Sequence, residues 1–295
     1  MTHLSLSFLG SPEVEHNGQA VSFPTRKTLA LLIYLAVEGG MQPREKLAAL
    51  FWPESRHKSG RASLRTTLAL LRKELAHASQ AEQQAHLNVT RDAIGFNSDA
   101  DYTLDLEKVQ AVVTQQTSRQ SFDSAQDKPP ISALFTAVSL IRGEFLEGFS
   151  LPDAPQFDDW VTFQQEQWHL RCRQLFDSLA EQQMERGETA AAIVTLNRWL
   201  ALSPLAERAY RRLMRAHTIT GNRPAALQLY EKCQSMLAAE LGVEPSPETA
   251  ALAERIRAAD KVTRWQGDKV ISPAAPNVVM PIIGRGKEHS QLVAA

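Results

Sequence analysis

The chain has 295 residues, of which 43% are hydrophobic, and a formal net charge of −1. This length exceeds one average domain and predicts two domains joined by linkers. The longest apolar run, residues 29–37, is much shorter than a membrane span, and the N-terminus lacks a signal-like segment. We therefore expect a cytoplasmic protein with no membrane partner.

The charge is unevenly distributed along the chain. Residues 1–97 contain 11 Lys/Arg and 8 Asp/Glu, a net charge of +3, whereas the remaining 21 Lys/Arg and 25 Asp/Glu give −4. This asymmetry indicates that only the N-terminal part would meet a polyanion.

The first residues predict a small antiparallel sheet. Leu4, Leu6 and Phe8 alternate with serines, and Asn17-Gly18 is a strong hairpin-turn signal before Val21 and Phe23. From residue 25 onward the pattern becomes helical.

Two helices follow the predicted sheet. Thr25 is a suitable N-terminal cap for the first, and Gly39-Gly40 ends it. Pro43 precedes a second, short helix over residues 44–51, which stops at Trp52-Pro53.

Residues 56–75, RHKSGRASLRTTLALLRKEL, form the most distinctive stretch. It carries six Lys/Arg, and Leu64, Leu68, Leu71 and Leu75 recur at the spacing of one helix face. The pattern predicts a helix whose leucines pack inward and whose cations can lie along a polyanion. The alternative interpretation is a solvated amphipathic surface helix.

A hairpin is predicted after the basic helix, because apolar residues alternate on both sides of the turn at residues 90–93. Sheet, two helices, basic helix and hairpin follow the order of a winged helix-turn-helix. The segments LSFLG, RKTLALLIYLA, LAALFWPES and RASLRTTLALLRKEL resemble the winged-helix domain of bacterial response regulators, and more closely that of the Streptomyces antibiotic regulatory proteins. The resemblance implies a domain over residues 1–100 that binds double-stranded DNA.

In winged helices the third helix enters the major groove and the hairpin reaches the minor groove. Arginine can chelate guanine or pair with phosphate, and threonine can contact thymine or phosphate. Ala69 and Leu70 stand where many response regulators have arginine nearby, so base specificity is not carried over. Arg26, Lys27 and Arg44 are expected to be solvated. The candidate DNA-binding residues are Lys58, Arg61, Arg65, Thr66, Arg72, Lys73 and, at the hairpin tip, Arg91.

The region from residue 103 to 260 predicts helices and no further strand. An internal repeat of 34 residues pairs Phe176 with Tyr210 and Gly187 with Gly221, a pattern typical of tetratricopeptide helix pairs. The expected fold is therefore multidomain, an α+β winged helix-turn-helix followed by an all-α tetratricopeptide-like domain. The aromatic residues Phe157, Trp160 and Trp168 are interpreted as core and not as a ligand cage.

The strings GEFLEGF, LPDAPQFDDWV, LSPLAERAYRRLMRAHTITGNRPAALQLYEKC and LGVEPSPET resemble the bacterial transcriptional activator domain. This resemblance covers residues 103–260. It implies a helical domain that packs on the DNA-binding domain, self-associates as a homo-oligomer on DNA and works with RNA polymerase.

The C-terminal part predicts a linker over residues 261–280. Residues 281–295, with Gly284, Arg285 and Glu288, resemble the opening of a nucleotide-binding module of signal-transduction ATPases. The chain contains no phosphate-binding loop sequence, so we expect no nucleotide cofactor. The hypothesis is a piece of a longer regulator.

These features leave three functions to consider. The first is a sequence-specific DNA-binding transcriptional activator, and the second is a tetratricopeptide protein-interaction scaffold without specific DNA binding. An enzyme is disfavoured, because no nucleophile–base set, metal-ligand spacing or catalytic residue is recognisable. Cys172 and Cys233 lack metal or redox spacing, so neither metal nor cofactor is predicted.

Overall fold

The computed structural model describes residues 3–55, 57–78, 86–119 and 128–268. The N-terminal elements are β1 (Leu4–Ser7), β2 (Glu13–His16), β3 (Gln19–Ala20), α1 (Arg26–Glu38), β4 (Met41–Pro43), α2 (Arg44–Phe51), α3 (His57–Ala78), β5 (Leu87–Val89), β6 (Ala93–Phe96) and β7 (Tyr102–Leu104). Helices follow: α4 (Asp105–Arg119), α5 (Ile131–Leu140), α6 (Pro155–Glu185), α7 (Thr189–Leu202), α8 (Glu207–Ile219), α9 (Arg223–Leu241) and α10 (Pro247–Asp268).

The first sheet has the strand order β3-β2-β1-β7. The predicted turn is present, with positive φ at Asn17 and Gly18, and β1 pairs antiparallel with β2. The return strand β3 contains only two residues, so Val21 and Phe23 lie outside it. The expectation that no strand follows residue 103 is wrong, because β7 pairs parallel with β1. Three residues are too few to produce a readable alternation, and their partner is distant in the sequence.

Helices α1 and α2 have the predicted ends. The Thr25 hydroxyl accepts the Thr28 N–H at 3.2 Å, and Gly39 ends α1 with a φ of 65°. Helix α2 spans the predicted residues. Helix α3 continues to Ala78, three residues beyond its predicted end at Leu75. The leucine face of α3 is buried as predicted, and it packs on α1 and α2.

A second sheet, of order β4-β6-β5, closes the N-terminal region. Strands β5 and β6 form the predicted hairpin, in which Leu87 pairs with Phe96. Strand β4, which the sequence did not indicate, pairs with β6 directly before α2. Strands and helices are therefore mixed before residue 105, and the described remainder is mostly helical.

The helices α6 to α9 repeat with the predicted period of 34 residues. Helices α6 and α8 end at Glu185 and Ile219, and the next helices begin at Thr189 and Arg223. Gly187 and Gly221 occupy the equivalent turns, with φ values of 76° and 77°, which favour glycine. Consecutive helices pack on one another along this series.

Helix α10 continues through Asp268, which lies within the range that the sequence assigned to a linker. The rest of that linker and the expected nucleotide-binding segment at residues 281–295 lie outside the described residues. No helix in the described part of the chain is long and apolar enough to cross a membrane.

One hydrophobic core runs through both regions. The Phe51 ring lies 5.3 Å from that of Phe157, and the Tyr34 ring lies 5.0 Å from that of Trp160. The Trp160 indole also donates to Glu38 at 2.8 Å. This aromatic seam joins α1 and α2 to α6. It buries Phe157 completely, and Trp160 is half-buried against the core. Trp168, farther along α6, is 6% exposed, so the predicted core role of all three aromatics is confirmed.

Polar contacts at the start of α4 also join the two regions. The buried Asp105 carboxylate accepts the backbone N–H groups of Phe8 and Leu9 at 2.7 and 2.8 Å. Burial raises the pKa of Asp105, although these hydrogen bonds and the nearby Arg142 oppose the shift. The loop before α6 adds backbone pairing, because Leu146 donates to the Phe8 carbonyl at 2.9 Å. The N-terminal sheet is therefore tied to the helical region by polar as well as apolar contacts.

Candidate nucleic-acid interface

Helix α3 has one buried and one exposed side. Its leucines point inward, with Leu64 and Leu71 at most 1% exposed. At about 100° per residue, the direction opposite to the leucines is occupied by Ala62, Thr66 and Lys73. Arg65 and Arg72 stand on one flank of that direction. All six residues that the sequence selected on α3 are exposed: Lys58, Arg61, Arg65, Thr66, Arg72 and Lys73.

These exposed cations differ in their partners. The Arg61 guanidinium pairs with the Glu45 carboxylate of α2, so part of its charge is neutralised. Within the described ranges, no hydrogen bond or ion pair engages the side chains of Lys58, Arg65, Arg72 and Lys73. These four cations are available to an incoming anion.

Thr66 lies at the middle of the exposed side. Its hydroxyl donates to the Ala62 carbonyl at 3.2 Å, one turn earlier, and the exposed side chain also lines the groove described next. A threonine in this position can meet a base methyl group or accept a hydrogen bond.

The other flank of α3 borders a groove of about 620 Å³. Ser59, Ser63 and Leu70 line its α3 wall, and the opposite wall comes from the N-terminus of α1 and from residues 151–153 of the helical region. Helical-domain residues therefore lie next to the exposed side of α3, which the sequence did not indicate.

Arg26 and Lys27 form part of that opposite wall. The expectation that they are solvated is wrong for Lys27, whose side chain is 15% exposed, whereas Arg26 is exposed. The Lys27 ammonium donates to the Phe51 carbonyl at 2.6 Å and pairs with Asp153 at 2.8 Å. The Arg26 guanidinium lies 5.0 Å from the centre of the Phe149 ring. Both cations contact protein groups of the loop before α6.

Arg44 is also engaged, again contrary to the sequence expectation. Its guanidinium donates to the Thr90 carbonyl at 3.1 and 3.2 Å, and its backbone N–H donates to the Asp92 carbonyl. The first residue of α2 therefore fixes the turn of the β5–β6 hairpin. Arg91, at the tip of this turn, is exposed and has no side-chain partner in the described part of the molecule.

The candidate residues thus lie on two elements. Six share the exposed side of α3, and Arg91 projects from a hairpin whose base is fixed by β4 and Arg44. The described residues contain no group of three or more His, Cys, Asp or Glu arranged to hold a metal ion. What the arrangement offers chemically is positive charge with hydrogen-bond donors, which suits phosphate and base edges.

Comparison with known proteins identifies a family over the helical part. The model of the bacterial transcriptional activator domain matches residues 104–257, which is more than half of the chain. Among curated proteins, the regulatory protein AfsR of Streptomyces griseus is 29% identical over 261 residues, covering 88% of this chain and 25% of that protein. The chain therefore spans about a quarter of the length of this relative.

Two further similarities cover different parts. The transcriptional regulatory protein MoaR1 of Mycobacterium bovis is 36% identical over 78 residues, which is 26% of this chain and 25% of that protein. The structure of Mycobacterium tuberculosis EmbR, in complex with a low-affinity phosphopeptide, has a TM-score of 0.61 at 22% identity. The match covers 92% of this chain and 71% of the EmbR chain, and at this identity it supports the fold alone.

Proposed function

Because the chain belongs to the bacterial transcriptional activator domain family and is a transcriptional regulator of the Streptomyces antibiotic regulatory protein type, we propose that it binds double-stranded promoter DNA through α3. The N-terminal region then acts as a winged helix-turn-helix, with α3 in the major groove and the β5–β6 hairpin at the neighbouring minor groove. DNA binding would serve transcription activation.

The observation that carries this proposal is the division of α3 into two sides. A purely structural helix of this length needs only its leucine face, yet the outward side has four cations with no partner in the described ranges: Lys58, Arg65, Arg72 and Lys73. Unneutralised cations along one helix are what a phosphate backbone attracts. Thr66, between them, can contact a base.

Different residues would carry affinity and specificity. Arg65 and Arg72 are seven residues, or about two helical turns, apart and lie on the same flank of α3. Both can therefore contact the wall of one groove. One bidentate arginine–guanine contact contributes about 1–3 kcal/mol of discrimination. Lys58, Lys73 and the hairpin residue Arg91 are better suited to phosphate contacts, which depend on salt and little on sequence.

A mobility-shift titration on promoter fragments upstream of the regulated genes tests the proposal. We expect the wild-type chain to prefer these fragments to random DNA, and Arg65→Ala and Arg72→Ala each to weaken binding about tenfold, or ~1.4 kcal/mol. Arg215→Ala is the matched control, because Arg215 is exposed on α8, away from α3.

Salt dependence provides a second readout in the same titration. Removal of a phosphate contact, as in Lys73→Ala, should lower the slope of log affinity against log salt by about one. Binding that is equal on promoter and random DNA and indifferent to both arginine substitutions would overturn the proposal. That outcome would favour the alternative, a tetratricopeptide interaction scaffold without specific DNA binding.

We further propose that the helical region supports self-association on repeated half-sites and recruits RNA polymerase. Support comes from the family and from apolar side chains that remain exposed on its helices, including Phe135, Phe163 and Val194. Sedimentation with and without DNA containing two half-sites would detect DNA-dependent dimers. Transcription reconstituted with purified polymerase would test recruitment, and an unchanged transcript yield would contradict it.

A further inference from the structure

Helix α3 offers different chemistry on its two flanks. Arg65 and Arg72 stand on one flank, and the hydroxyl groups of Ser59, Ser63 and Thr67 recur every four residues on the other. All three hydroxyl residues line the groove of about 620 Å³ beside α3, here termed the α3 groove. In the described part of the chain, no hydrogen bond engages their side chains. This flank therefore presents hydrogen-bond donors but no cation.

The opposite wall of the α3 groove supplies a cation. Arg26 is exposed, and its guanidinium donates to the Gly148 carbonyl at 3.3 Å and lies 5.0 Å from the centre of the Phe149 ring. Among the described residues Arg26 makes no ion pair, so its charge is not neutralised and further N–H groups remain available. The loop before α6 therefore holds a charged donor group in the wall of the α3 groove.

Asp153 is the one carboxylate in the described lining of the α3 groove. Its side chain is 72% exposed, whereas that of its partner Lys27 is 15% exposed. The ion pair therefore places a negative charge at the surface of the wall and neutralises the less exposed ammonium group. Glu74, one turn beyond Leu70 on the hydroxyl flank, is outside the lining. The acidic group of the groove thus comes from the helical region.

The dimensions of DNA place one strand along each flank of an inserted helix. An α-helix with its side chains is about 10–12 Å across, and the major groove of DNA is about 12 Å wide. With α3 in the major groove, the strand along one flank meets Arg65 and Arg72. The second strand runs along the hydroxyl flank, where the α3 groove lies.

We propose that the α3 groove seats the phosphate backbone of this second strand, so that the loop before α6 is part of the DNA interface. Ser59 and Ser63 donate to the phosphates from one wall, and Arg26 donates from the other. Asp153 lowers the affinity, because its carboxylate repels the phosphates. The inference rests on the proposed insertion of α3 and adds a direct contact between the helical region and DNA.

Directed cleavage of DNA tests this contact. An iron–EDTA chelate attached at Asp153→Cys produces hydroxyl radicals that cut only nearby DNA backbone. On the promoter fragment that the wild-type chain prefers, we expect cuts in one strand, where α3 binds. The chelate at Arg215→Cys, on α8 and away from α3, should give no cuts. The wild-type chain, in which Cys172 is half-buried and Cys233 buried, controls for labelling of the native cysteines.

Removal of the acidic charge tests its effect on affinity in the mobility shift. Asp153→Asn should raise the affinity for the same fragment about threefold, because a carboxylate no longer faces the phosphates. Glu240→Gln removes an equal charge from an exposed position on α9, outside the groove lining, and should leave the affinity unchanged.

Removal of the donors should have the opposite effect. Arg26→Gln should weaken binding about fivefold and lower the slope of log affinity against log salt by about one, because a phosphate contact is lost. Arg186→Gln, at an exposed position directly after α6, is the matched control. The double substitution Ser59→Ala and Ser63→Ala should weaken binding about threefold and leave the salt slope unchanged. Urea denaturation of each variant separates affinity from stability.

Three outcomes would overturn the inference while promoter binding by the wild-type chain keeps the proposed function intact. They are the absence of cuts from the chelate at Asp153→Cys, no gain of affinity in Asp153→Asn over Glu240→Gln, and no greater loss in Arg26→Gln than in Arg186→Gln. A wild-type chain that prefers no promoter fragment would overturn both proposals. The two failures are therefore distinguishable.

Discussion

Two groups of cations lie on the N-terminal helices, and they differ in whether protein groups bind them. On the exposed side of α3, Arg65 and Arg72 have no partners among the residues described. At the N-terminus of α1, Arg26 and Lys27 are held by the loop before α6. The sequence shows both groups as basic residues on amphipathic helices. Only the three-dimensional partners distinguish a free cation from a structural one.

This difference has an energetic meaning. A cation that is hydrogen-bonded to protein contributes to folding, and its removal should lower stability. A cation without a protein partner contributes little to folding, so its removal should act on ligand affinity. Substitutions at Lys27 and Glu45 test this division directly, and changes in the seam and at two buried histidines measure how strongly the fold that holds the bound cations is stabilised.

The largest effect is expected from Phe157→Ala in the aromatic seam. The side chain is fully buried between both regions, so its truncation should lower the free energy of unfolding by about 4 kcal/mol. Urea denaturation followed by tryptophan fluorescence measures this change. Phe163→Ala, at an exposed position on the same helix, is the control and should stay within about 0.5 kcal/mol of wild type.

Lys27→Met should have the next largest effect, and it should act on stability. The ammonium group is bound by the Phe51 carbonyl and by Asp153, so its loss should lower the free energy of unfolding by about 1.5 kcal/mol. Lys73→Met on α3 is matched in chemistry and should change stability by less than about 0.5 kcal/mol while weakening DNA binding. Equal destabilisation by both substitutions would remove the distinction between the two groups of cations.

Acidification should destabilise the N-terminal sheet. Burial lowers the pKa values of His16 and His86, and His3 nearby lowers them further. The unfolded chain therefore binds more protons than the folded chain below its pKa of about 6.5. Stability is full above that pH and falls as the pH decreases towards the folded values.

The measurement is the urea midpoint at pH 7.5 and pH 5.5, which should be lower at pH 5.5. In a variant with His16→Leu and His86→Leu the difference between the two pH values should shrink. His217→Leu on α8 is the control, and an equal reduction there would contradict the role of the two buried histidines.

The smallest effect is expected from Glu45→Gln. Both side chains of the Arg61–Glu45 pair are about half-exposed or more, so its loss should change stability by less than about 0.5 kcal/mol. The substitution releases Arg61 and removes a negative charge beside α3, so DNA affinity should rise by about threefold or less, most clearly at low salt. Weaker DNA binding in this variant would show that Glu45 positions Arg61 productively.

Much of the local structure follows from residues near in sequence. Thr25 caps α1, the glycine at 39 ends it, and Asn17-Gly18 makes the first turn, because each effect acts within a few residues. The strands β4 and β7 could not be predicted in this way. Each has three residues, and each forms through a partner far along the chain.

In the candidate site, too, the features that depend on local sequence are predictable. Helical periodicity alone predicts that α3 has buried leucines and outward cations, because it assigns each residue to a side of the helix. The sequence also predicts the 34-residue helical repeat, since turn glycines and small residues recur at that spacing.

Which cations have protein partners depends on the folded chain, because partners such as Asp153 for Lys27 and Thr90 for Arg44 come from distant segments. The tertiary structure also joined both regions through one aromatic seam. Hydrogen bonds and packing depend on distances in space, which a linear pattern does not contain.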